Sequence, residues 1–356
     1  MGDFVTSGFH HITMVARDAQ QTVDFYRDRL GVPIVKRTVN FDDPDAYHLY
    51  FGHESGAPGT ILTFFEWPHA SRGQFGIGGI HHLALSVETV EAQLMWKRWL
   101  NDAGTPTTGP YDRGWFSSLY FRDPDGQILE IATAGPGYSL DEPPDALGER
   151  EIEPAVERTH GHRDEAAIAA LTHPEPVDAM TDAMTLTGIH HISGITTDLE
   201  RANEFYSAAL GLRLVKRTVN QDDGSMRHHF WAHYDGQNVA ARSSLTLFEW
   251  LDDGKHARGG YGQTHHIAFR ASSEDEQLAW RDHLISLGLD VTTVQDRKYF
   301  KSIYFRAPDG LLLEIATDSP GFTLDEDPAD LGTDLQLPAW LEDRRDEIAA
   351  RLTPLR

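Results

Sequence analysis

The sequence predicts an α+β protein built from four βαβββ modules in tandem duplication. Residues 8–40 and 188–220 are similar to each other, since GFHHIT and VKRTVN in the first segment correspond to GIHHIS and VKRTVN in the second. A His-His pair also recurs at residues 10–11, 81–82, 190–191 and 265–266 of the 356-residue chain. Such self-similarity indicates a repeat architecture.

Each module reads as a strand, a helix and three further strands. The apolar run after each His-His pair is the first strand, and the helices are predicted over residues 18–30, 89–103, 198–210 and 273–287. Their N-cap candidates are Asp18, Asp198 and Ser273. A glycine follows each helix, in the left-handed position that ends it. Asp-Gly at residues 125–126 and 309–310 is expected to supply positive φ angles in a hairpin turn.

The repeats divide the chain into two halves. The N-terminal half is expected over residues 8–140, with modules at 8–67 and 80–134. The C-terminal half is expected over residues 188–324, with modules at 188–250 and 264–317. Residues 141–187 form an acidic, proline-rich linker with a short helix near 164–171, and residues 325–356 form a tail with a helix near 340–352.

Composition excludes several classes of function. The chain has 31 basic and 55 acidic residues, so its charge of −24 repels nucleic acid and anionic membranes. It has no cysteine, which excludes disulfides, thiolate metal sites and a cysteine nucleophile. No apolar run approaches the ~20 residues of a membrane span, and we read no secretory signal, so a cytoplasmic location is expected.

The choice among charged residues is also biased. Asp outnumbers Glu by 34 to 21, and Arg outnumbers Lys by 25 to 6. We expect this bias of a halophilic-type acidic surface that stays hydrated in concentrated salt. An ordinary acidic surface is the alternative.

Any metal ion must therefore be held by His, Asp or Glu. Strand alternation lets one histidine of each pair face a concave sheet surface, and these are His11, His82, His191 and His266. Glu130 and Glu314 lie within apolar strands, where an unpaired carboxylate costs several kcal/mol. Two imidazoles and one carboxylate form a triad that leaves positions open on Fe(II). The alternative is that the histidines are packed in the core and that the glutamates form salt bridges to Arg122 or Arg306. The recurrence of the same histidines and glutamates in the modules favours a metal site.

The sequence resembles the vicinal oxygen chelate superfamily of glyoxalases, extradiol dioxygenases and bleomycin-resistance proteins. It is most similar to hydroquinone-type ring-cleaving dioxygenases, through GFHHIT, KRTVNFDDPDAYHLYFG, THHIAFRA and DRKYFKSIYFR. The resemblance implies two curved mixed sheets, with the first and fourth modules around a metal. The implied metal ligands are His11, His266 and Glu314. The implied substrate-side, catalytic residues are His10, Thr13, His265, Arg297 and Tyr304.

The middle modules keep a second full set, which departs from the hydroquinone-type pattern. Its ligands would be His82, Glu130 and His191, lined by His81, His190, Ser193, Arg113 and Tyr120. Two metal sites per chain are therefore expected. Pairing of adjacent modules would instead group His11 with His82 and Glu130, and His191 with His266 and Glu314, so the module pairing stays open.

The resemblance implies an Fe(II)-dependent extradiol-type dioxygenase that uses O₂ on a hydroquinone or catechol-like aromatic, with Mn(II) as the alternative metal. Arg297 and Tyr304 would stabilise an oxyanion, and His265 or His10 would move protons. A homodimer is the expected assembly, and no further cofactor, nucleic acid or membrane partner is expected. His48, His228 and His229 are expected to be solvated.

Two rival functions remain open. A glyoxalase-like isomerase with Ni(II) or Zn(II) needs a fourth ligand, and this position falls on the apolar Leu62 and Leu245. Glu66 and Glu249 are expected to cap a sheet edge or meet an arginine rather than the metal. A non-catalytic resistance protein that binds a small molecule is the other rival.

Overall fold

The computed structural model describes residues 4–250 and 254–356, which form two eight-stranded mixed sheets. Contacts divide the chain into two compact units. The middle unit contains Gly76–His256 with the N-terminal residues up to Gly8, and therefore holds the second and third modules. The terminal unit contains Phe9–Phe75 and Ala257–Arg356, and therefore holds the first and fourth modules. The prediction of duplicated α+β modules is confirmed.

All four modules follow the order strand, helix and three strands. The first comprises β1 (Phe9–Ala16), α1 (Ala19–Val23), β2 (Ile34–Asn40), β3 (Asp43–Phe51) and β4 (Ile61–Glu66). The second comprises β5 (Ile80–Val87), α2 (Val90–Asp102), β6 (Thr108–Asp112), β7 (Ser117–Arg122) and β8 (Ile128–Thr133). After the linker helix α3 (Glu165–Ala170), the third comprises β9 (Ile189–Thr196), α4 (Leu199–Leu210), β10 (Arg213–Val219), β11 (Arg227–Ala232) and β12 (Ser244–Glu249). The fourth comprises β13 (Gln263–Ala271), α5 (Glu274–Ser286), β14 (Gln295–Asp296), β15 (Lys301–Arg306) and β16 (Leu312–Thr317), and the tail contains α6 (Arg345–Arg351).

The sheet register resolves the module pairing. In the terminal unit the strand order is β14-β15-β16-β13-β1-β4-β3-β2, and β1 pairs antiparallel with β13. In the middle unit the order is β10-β11-β12-β9-β5-β8-β7-β6, and β5 pairs antiparallel with β9. The first module therefore pairs with the fourth, and the second with the third. In the described chain, the first and second modules do not share a sheet, and neither do the third and fourth.

Capping explains where the helices begin and end. Side chains of the N-cap residues accept backbone N–H groups at Asp18, Thr89, Asp198 and Ser273. Gly211 ends α4 with a φ of 65°, a left-handed conformation that favours glycine. The first helix departs from the prediction, because α1 is followed by a π-helix over Asp24–Arg29.

The hairpin turns also depart in one detail from the expectation. Gly126 and Gly310 have φ angles of 88° and 98°, whereas the preceding aspartates are not among the non-glycine residues with positive φ. The turns therefore use one left-handed residue instead of two. Both hairpins nevertheless connect the last two strands of their modules as predicted.

The linker and the tail make equivalent backbone contacts, each with the sheet of its own unit. Ile152 donates its N–H to the carbonyl of Arg217 on β10 at 2.9 Å, and Gln336 donates to the carbonyl of Arg37 on β2 at 2.8 Å. Each segment also places two acidic side chains against a buried lysine of its sheet, Lys216 in the middle unit and Lys36 in the terminal unit. None of the described helices combines the length and the apolarity needed to cross a membrane.

Candidate metal centres

The terminal unit brings one histidine from each of its two modules together with a carboxylate. His11 on β1 and His266 on β13 place their Nε2 atoms 3.2 Å apart. Oε2 of Glu314 on β16 lies 3.5 Å from Nε2 of His11 and 2.8 Å from Nε2 of His266. The strand register explains the convergence, because Ala268 of β13 lies between His11 on one neighbouring strand and Glu314 on the other.

The middle unit repeats this arrangement. Nε2 of His82 lies 3.2 Å from Nε2 of His191, and Oε2 of Glu130 lies 3.1 Å from the former and 3.5 Å from the latter. Ala84 occupies the position between Glu130 and His191. In each triad the donor atoms lie within 4.8 Å of one another, and all six side chains are buried. The two groups are those expected when the first module pairs with the fourth.

The donor set of each triad fits a divalent cation. Within the described residues, both carboxylate oxygens of Glu130 and Oε2 of Glu314 are buried acceptors that receive no hydrogen bond. Burial acts to raise the pKa of both glutamates, but the neighbouring histidines hold each pKa well below its usual value. Each triad therefore presents an ionised carboxylate and two imidazole nitrogens, a set typical of non-haem iron sites.

The arginines offered as alternative partners of these glutamates point elsewhere. Arg122 donates to the carbonyl of Gly126, and Arg306 donates to the carbonyl of Gly310, both at 2.7 Å. Each arginine thus binds the turn of its own hairpin. These contacts hold Arg122 and Arg306 at their turns, where they do not pair with Glu130 or Glu314.

A second histidine supports each of the four that face the triads. We call His11, His82, His191 and His266 the inner histidines, and the residues before them the outer histidines, His10, His81, His190 and His265. Nδ1 of each outer histidine lies 2.8–2.9 Å from Nδ1 of its inner neighbour. This hydrogen bond leaves the inner Nε2 free to face the triad, as second-sphere partners of metal-bound histidines do.

The outer histidines are held in their neutral form. Burial, followed by the neighbouring inner histidine, lowers the pKa of His10 to about 3. The same two causes lower the pKa of His190 to about 3 and that of His265 to about 4. A backbone hydrogen bond links His10 to Thr317, and another links His190 to Thr133.

Not all outer histidines lie where substrate-side residues were expected. His81 lines the cavity beside its triad, whereas His10 and His265 do not line the terminal cavity. His190 lines a different cavity of the middle unit. In the terminal unit, His10 instead packs against Phe300, and the substrate-side role of His10 and His265 stays a prediction.

The remaining predicted residues of the terminal unit do line its cavity. These are Thr13, Arg297 and Tyr304. Arg297 donates to Asp42 at 3.1 Å and to Gln295 at 2.7 Å, and its guanidinium lies over the Tyr304 ring. Burial raises the pKa of Tyr304, which therefore keeps its phenolic proton.

Their counterparts in the middle unit are Arg113, Tyr120 and Ser193. Arg113 donates to Oε1 of Gln221 at 2.8 Å and to the Tyr120 hydroxyl at 3.3 Å, and both Arg113 and Tyr120 line the cavity. Ser193 does not line the cavity, and its hydroxyl is hydrogen-bonded to Thr246 at 2.6 Å.

Sequence reasoning missed one residue in each site. His48 on β3 and His228 on β11 were expected to be solvated, but each lines the cavity beside its triad and binds a threonine hydroxyl. Burial lowers the pKa of both well below the usual value. His229 is also buried, so the expectation is wrong for it too. The sequence did carry a signal for His48 and His228, because a histidine recurs at equivalent positions of the two halves, 180 residues apart.

The fourth ligand position of a glyoxalase-like site is apolar in both units. Leu62 and Leu245 are fully buried in their strands. Glu66 instead accepts the N–H of Ala19 at 3.0 Å, at the start of α1. Glu249 accepts the N–H of Leu199 at 3.2 Å and pairs with Arg227 at 3.3 Å.

Comparisons with known proteins agree with this geometry. The family model of the Glyoxalase/Bleomycin resistance protein/Dioxygenase superfamily matches residues 8–131 and 188–315. MhqA of Bacillus subtilis, which carries the provisional name ring-cleaving dioxygenase, is 33% identical over 351 residues, covering 98% of this chain and 99% of MhqA. The chlorohydroquinone/hydroquinone 1,2-dioxygenase of Sphingobium indicum is 29% identical over 349 residues, covering 96% of this chain and 94% of that enzyme.

A solved structure from Bacillus subtilis, provisionally named a dioxygenase, has a TM-score of 0.79 and 32% identity, and covers 99% of this chain and 98% of its own. Both the fold and the sequence are therefore shared over nearly the whole length. The chain belongs to the glyoxalase/bleomycin resistance protein/dioxygenase superfamily, and its kinship with full-length dioxygenases makes it an enzyme of the dioxygenase type.

Proposed function

We propose that this chain is an Fe(II)-dependent ring-cleaving dioxygenase of the extradiol type. Its substrate would be a hydroquinone or a catechol-like aromatic, with O₂ as the second substrate. The observation that carries the proposal is the pair of buried triads, each with two inward-facing Nε2 atoms and an ionised carboxylate. The names of the full-length relatives support ring cleavage as the reaction.

The triads would hold the metal through His11, His266 and Glu314 in the terminal unit and through His82, His191 and Glu130 in the middle unit. A bound Fe(II) supplies vacant coordination positions for a substrate oxygen and for O₂. Mn(II) is the alternative that the same donor set accommodates.

The chain's own residues would then bind and orient the aromatic ring. Arg113 and Tyr120, or Arg297 and Tyr304, lie on the cavity walls, where N–H and O–H donors stabilise developing negative charge. The raised pKa of both tyrosines, caused first by burial, keeps these hydroxyl groups as donors at neutral pH. Phe116 and Phe248 give the middle cavity apolar walls that exclude water.

The rival functions have less support. A four-ligand glyoxalase site would need a donor where Leu62 and Leu245 lie buried. A protein that only sequesters a small molecule has no need of a complete triad, and this chain keeps two. We therefore retain dioxygenase chemistry as the proposal.

Oxygen uptake tests the proposal. Protein loaded with Fe(II) under anaerobic conditions should consume O₂ stoichiometrically with ring-opened product when given a panel of hydroquinones and catechols. The double variant Glu130→Gln/Glu314→Gln should fold but consume none. Metal-loaded protein that consumes no O₂ with any member of the panel would overturn the proposal, and turnover of a hemithioacetal with Ni(II) would replace it.

A further inference from the structure

The two triads differ most in the space beside them. The cavity next to the middle triad has a volume of about 630 Å³. The cavity next to the terminal triad has a volume of about 20 Å³. Small-molecule sites usually occupy roughly 300–1,000 Å³, and about 10–15 Å³ is enough for one water. The middle triad therefore opens to a cavity that admits a substituted aromatic ring, whereas the terminal triad opens to a space of water size.

One pair of equivalent residues accounts for part of this difference. Position 41 of the first half corresponds to position 221 of the second, because both follow the shared VKRTVN segment. Phe41 lines the terminal cavity and packs edge-on against Trp340, with ring centroids 5.7 Å apart. Gln221 instead accepts from Arg113 at 2.8 Å and donates to the carbonyl of Asp112 at 3.0 Å.

A second pair changes the hydrogen bonding of the cavity histidine. In the terminal unit, Nε2 of His48 is hydrogen-bonded to the Thr63 hydroxyl at 2.9 Å and its Nδ1 to the Tyr50 hydroxyl at 3.0 Å, so both ring nitrogens are engaged. Phe230 occupies the position of Tyr50 in the middle unit. Nε2 of His228 still binds Thr246, at 2.8 Å.

His228 consequently keeps one nitrogen available. Across residues 4–250 and 254–356, the His228 side chain is hydrogen-bonded to Thr246 through Nε2 and makes no hydrogen bond through Nδ1. The ring lines the large cavity and stacks on Phe248, with centroids 3.9 Å apart. The ring therefore lines the cavity with Nε2 engaged by Thr246 and with Nδ1 left without a side-chain partner among the described residues.

We propose that the aromatic substrate binds and reacts at the middle triad, with Nδ1 of His228 accepting a hydrogen bond from a substrate hydroxyl. The inference rests on the proposed function and deepens it, since it assigns turnover to the unit formed by the second and third modules. The terminal triad keeps a metal-binding role without room for a ring. The cavity volume indicates a hydroquinone that carries a substituent.

The chemistry balances without an added reductant. Both atoms of O₂ enter the product, and the bond between a hydroxylated ring carbon and its neighbour breaks. The four electrons that reduce O₂ come from the ring. His228 takes the proton of the substrate hydroxyl and returns it to the ring-opened product.

A matched pair of ligand variants tests the assignment. Glu130→Gln and Glu314→Gln should each lower the bound Fe(II) by about one equivalent per chain. We expect Glu130→Gln to lose at least 100-fold more O₂-uptake activity toward methylhydroquinone than Glu314→Gln. Equal losses, or a greater loss in Glu314→Gln, would overturn the assignment.

Variants of the cavity provide a readout other than activity. Anaerobic calorimetry should detect one equivalent of methylhydroquinone bound to the Fe(II)-loaded chain. Gln221→Phe should weaken this binding at least tenfold while the chain still binds two metals, and Gln221→Asn should weaken it less. Binding that survives Gln221→Phe would contradict the inference, whether or not the protein consumes O₂, so its failure is distinct from failure of the dioxygenase proposal.

A substitution of Phe230, whose ring contacts His228, tests the role of His228. Phe230→Tyr supplies the hydroxyl that Tyr50 provides in the terminal unit and engages Nδ1 of His228. We expect a fall in kcat/KM of about 10²-fold or more, within the range that a lost proton acceptor causes, with two metals still bound. His228→Gln should fall similarly and lose the acidic limb of the pH profile. Unchanged kcat/KM in both variants would remove His228 from the reaction.

Discussion

At the scale of single residues, Nδ1 of each outer histidine is hydrogen-bonded to Nδ1 of its inner neighbour, which leaves the inner Nε2 directed at the triad. The sequence identifies the four His-His pairs and the two strand glutamates as candidate metal-site residues, because the same residue types recur at equivalent positions. It does not predict that an outer ring lies behind an inner one, since alternation places the two rings on opposite faces. A bulge in the register beside His11 and His82 accompanies the Nδ1 contacts.

Removal of an outer histidine should weaken metal binding. His10→Phe removes the hydrogen bond to His11 without changing the cavity lining. We expect a 10- to 100-fold (about 1.4–2.8 kcal/mol) loss of Fe(II) affinity at one of two sites, the usual effect of losing such a partner. Competition with a chelator measures both affinities, and the second site is the internal control. Two unchanged affinities would show that the contact does not support the ligand.

His229 gives the folded chain a measurable sensitivity to acid. Burial, with Arg227 and Arg217 nearby, lowers its pKa to about 4, whereas an unfolded histidine has a pKa of about 6.5. Because the folded pKa is depressed, the stability from the neutral ring is full above pH 6.5 and is lost as the pH falls toward 4.

Leu49 occupies the equivalent position, so His229→Leu is a conservative test. In metal-free protein, this substitution should reduce the drop in unfolding free energy between pH 7 and pH 5 by roughly 1–2 kcal/mol. Urea titrations at both pH values measure the drop. An identical drop in the variant would contradict the lowered pKa.

At the scale of elements, a buried lysine fastens the segment that follows each half to a sheet. Lys216 on β10 is fully buried and contacts Asp141 and Glu142, each at 2.5 Å. Lys36 on β2 contacts Asp325 at 2.6 Å, as well as Glu326. Leu-Asp-Glu occurs in the sequence at residues 140–142 and again at 324–326, but nothing local identifies the lysine that each segment contacts.

Breaking one of these clusters should destabilise the fold strongly. Lys216→Met leaves buried carboxylate uncompensated, which costs about 3–5 kcal/mol. The double variant Lys216→Met/Glu142→Gln should recover part of this loss. Arg351→Met, which breaks the exposed pair with Asp45, is the control and should cost less than about 1 kcal/mol. Urea unfolding at pH 7 measures the free energy of unfolding of each variant. A loss of less than about 1 kcal/mol for Lys216→Met would contradict the stabilising role of the cluster.

The sequence also predicts the helices and strands better than their pairing. Caps and glycines are local signals, so α2, α4 and α5 agree with prediction to within two residues. The contact between β1 and β13 joins segments about 250 residues apart, and no local propensity ranks it against a contact between adjacent modules. The π-helical segment after α1 had no recognisable signal either.

At the scale of the whole molecule, duplication preserved both triads while the space beside them diverged. Residue types at the ligand positions are the same in both halves, so the sequence predicts two sites. Cavity volume depends on packing by residues such as Phe41 and Gln221, which no motif marks. The sequence therefore locates the ligands but not the site with room for an aromatic ring.

The charge of −24 makes a further prediction for the whole chain. Salt screens the repulsion among like charges, so we expect Tm to rise by about 5 °C or more between 0.1 M and 3 M KCl. Differential scanning calorimetry of the metal-free protein measures this change. A Tm that stays constant or falls would indicate an ordinary acidic surface.

Each unit is predicted to bind one metal ion through two imidazoles and one carboxylate. A crystal structure of the chain loaded anaerobically with Fe(II), with anomalous data at the iron edge, tests it directly. We predict one peak bonded to His11, His266 and Glu314 and another bonded to His82, His191 and Glu130. An iron-replete crystal with no peak at either triad would contradict it.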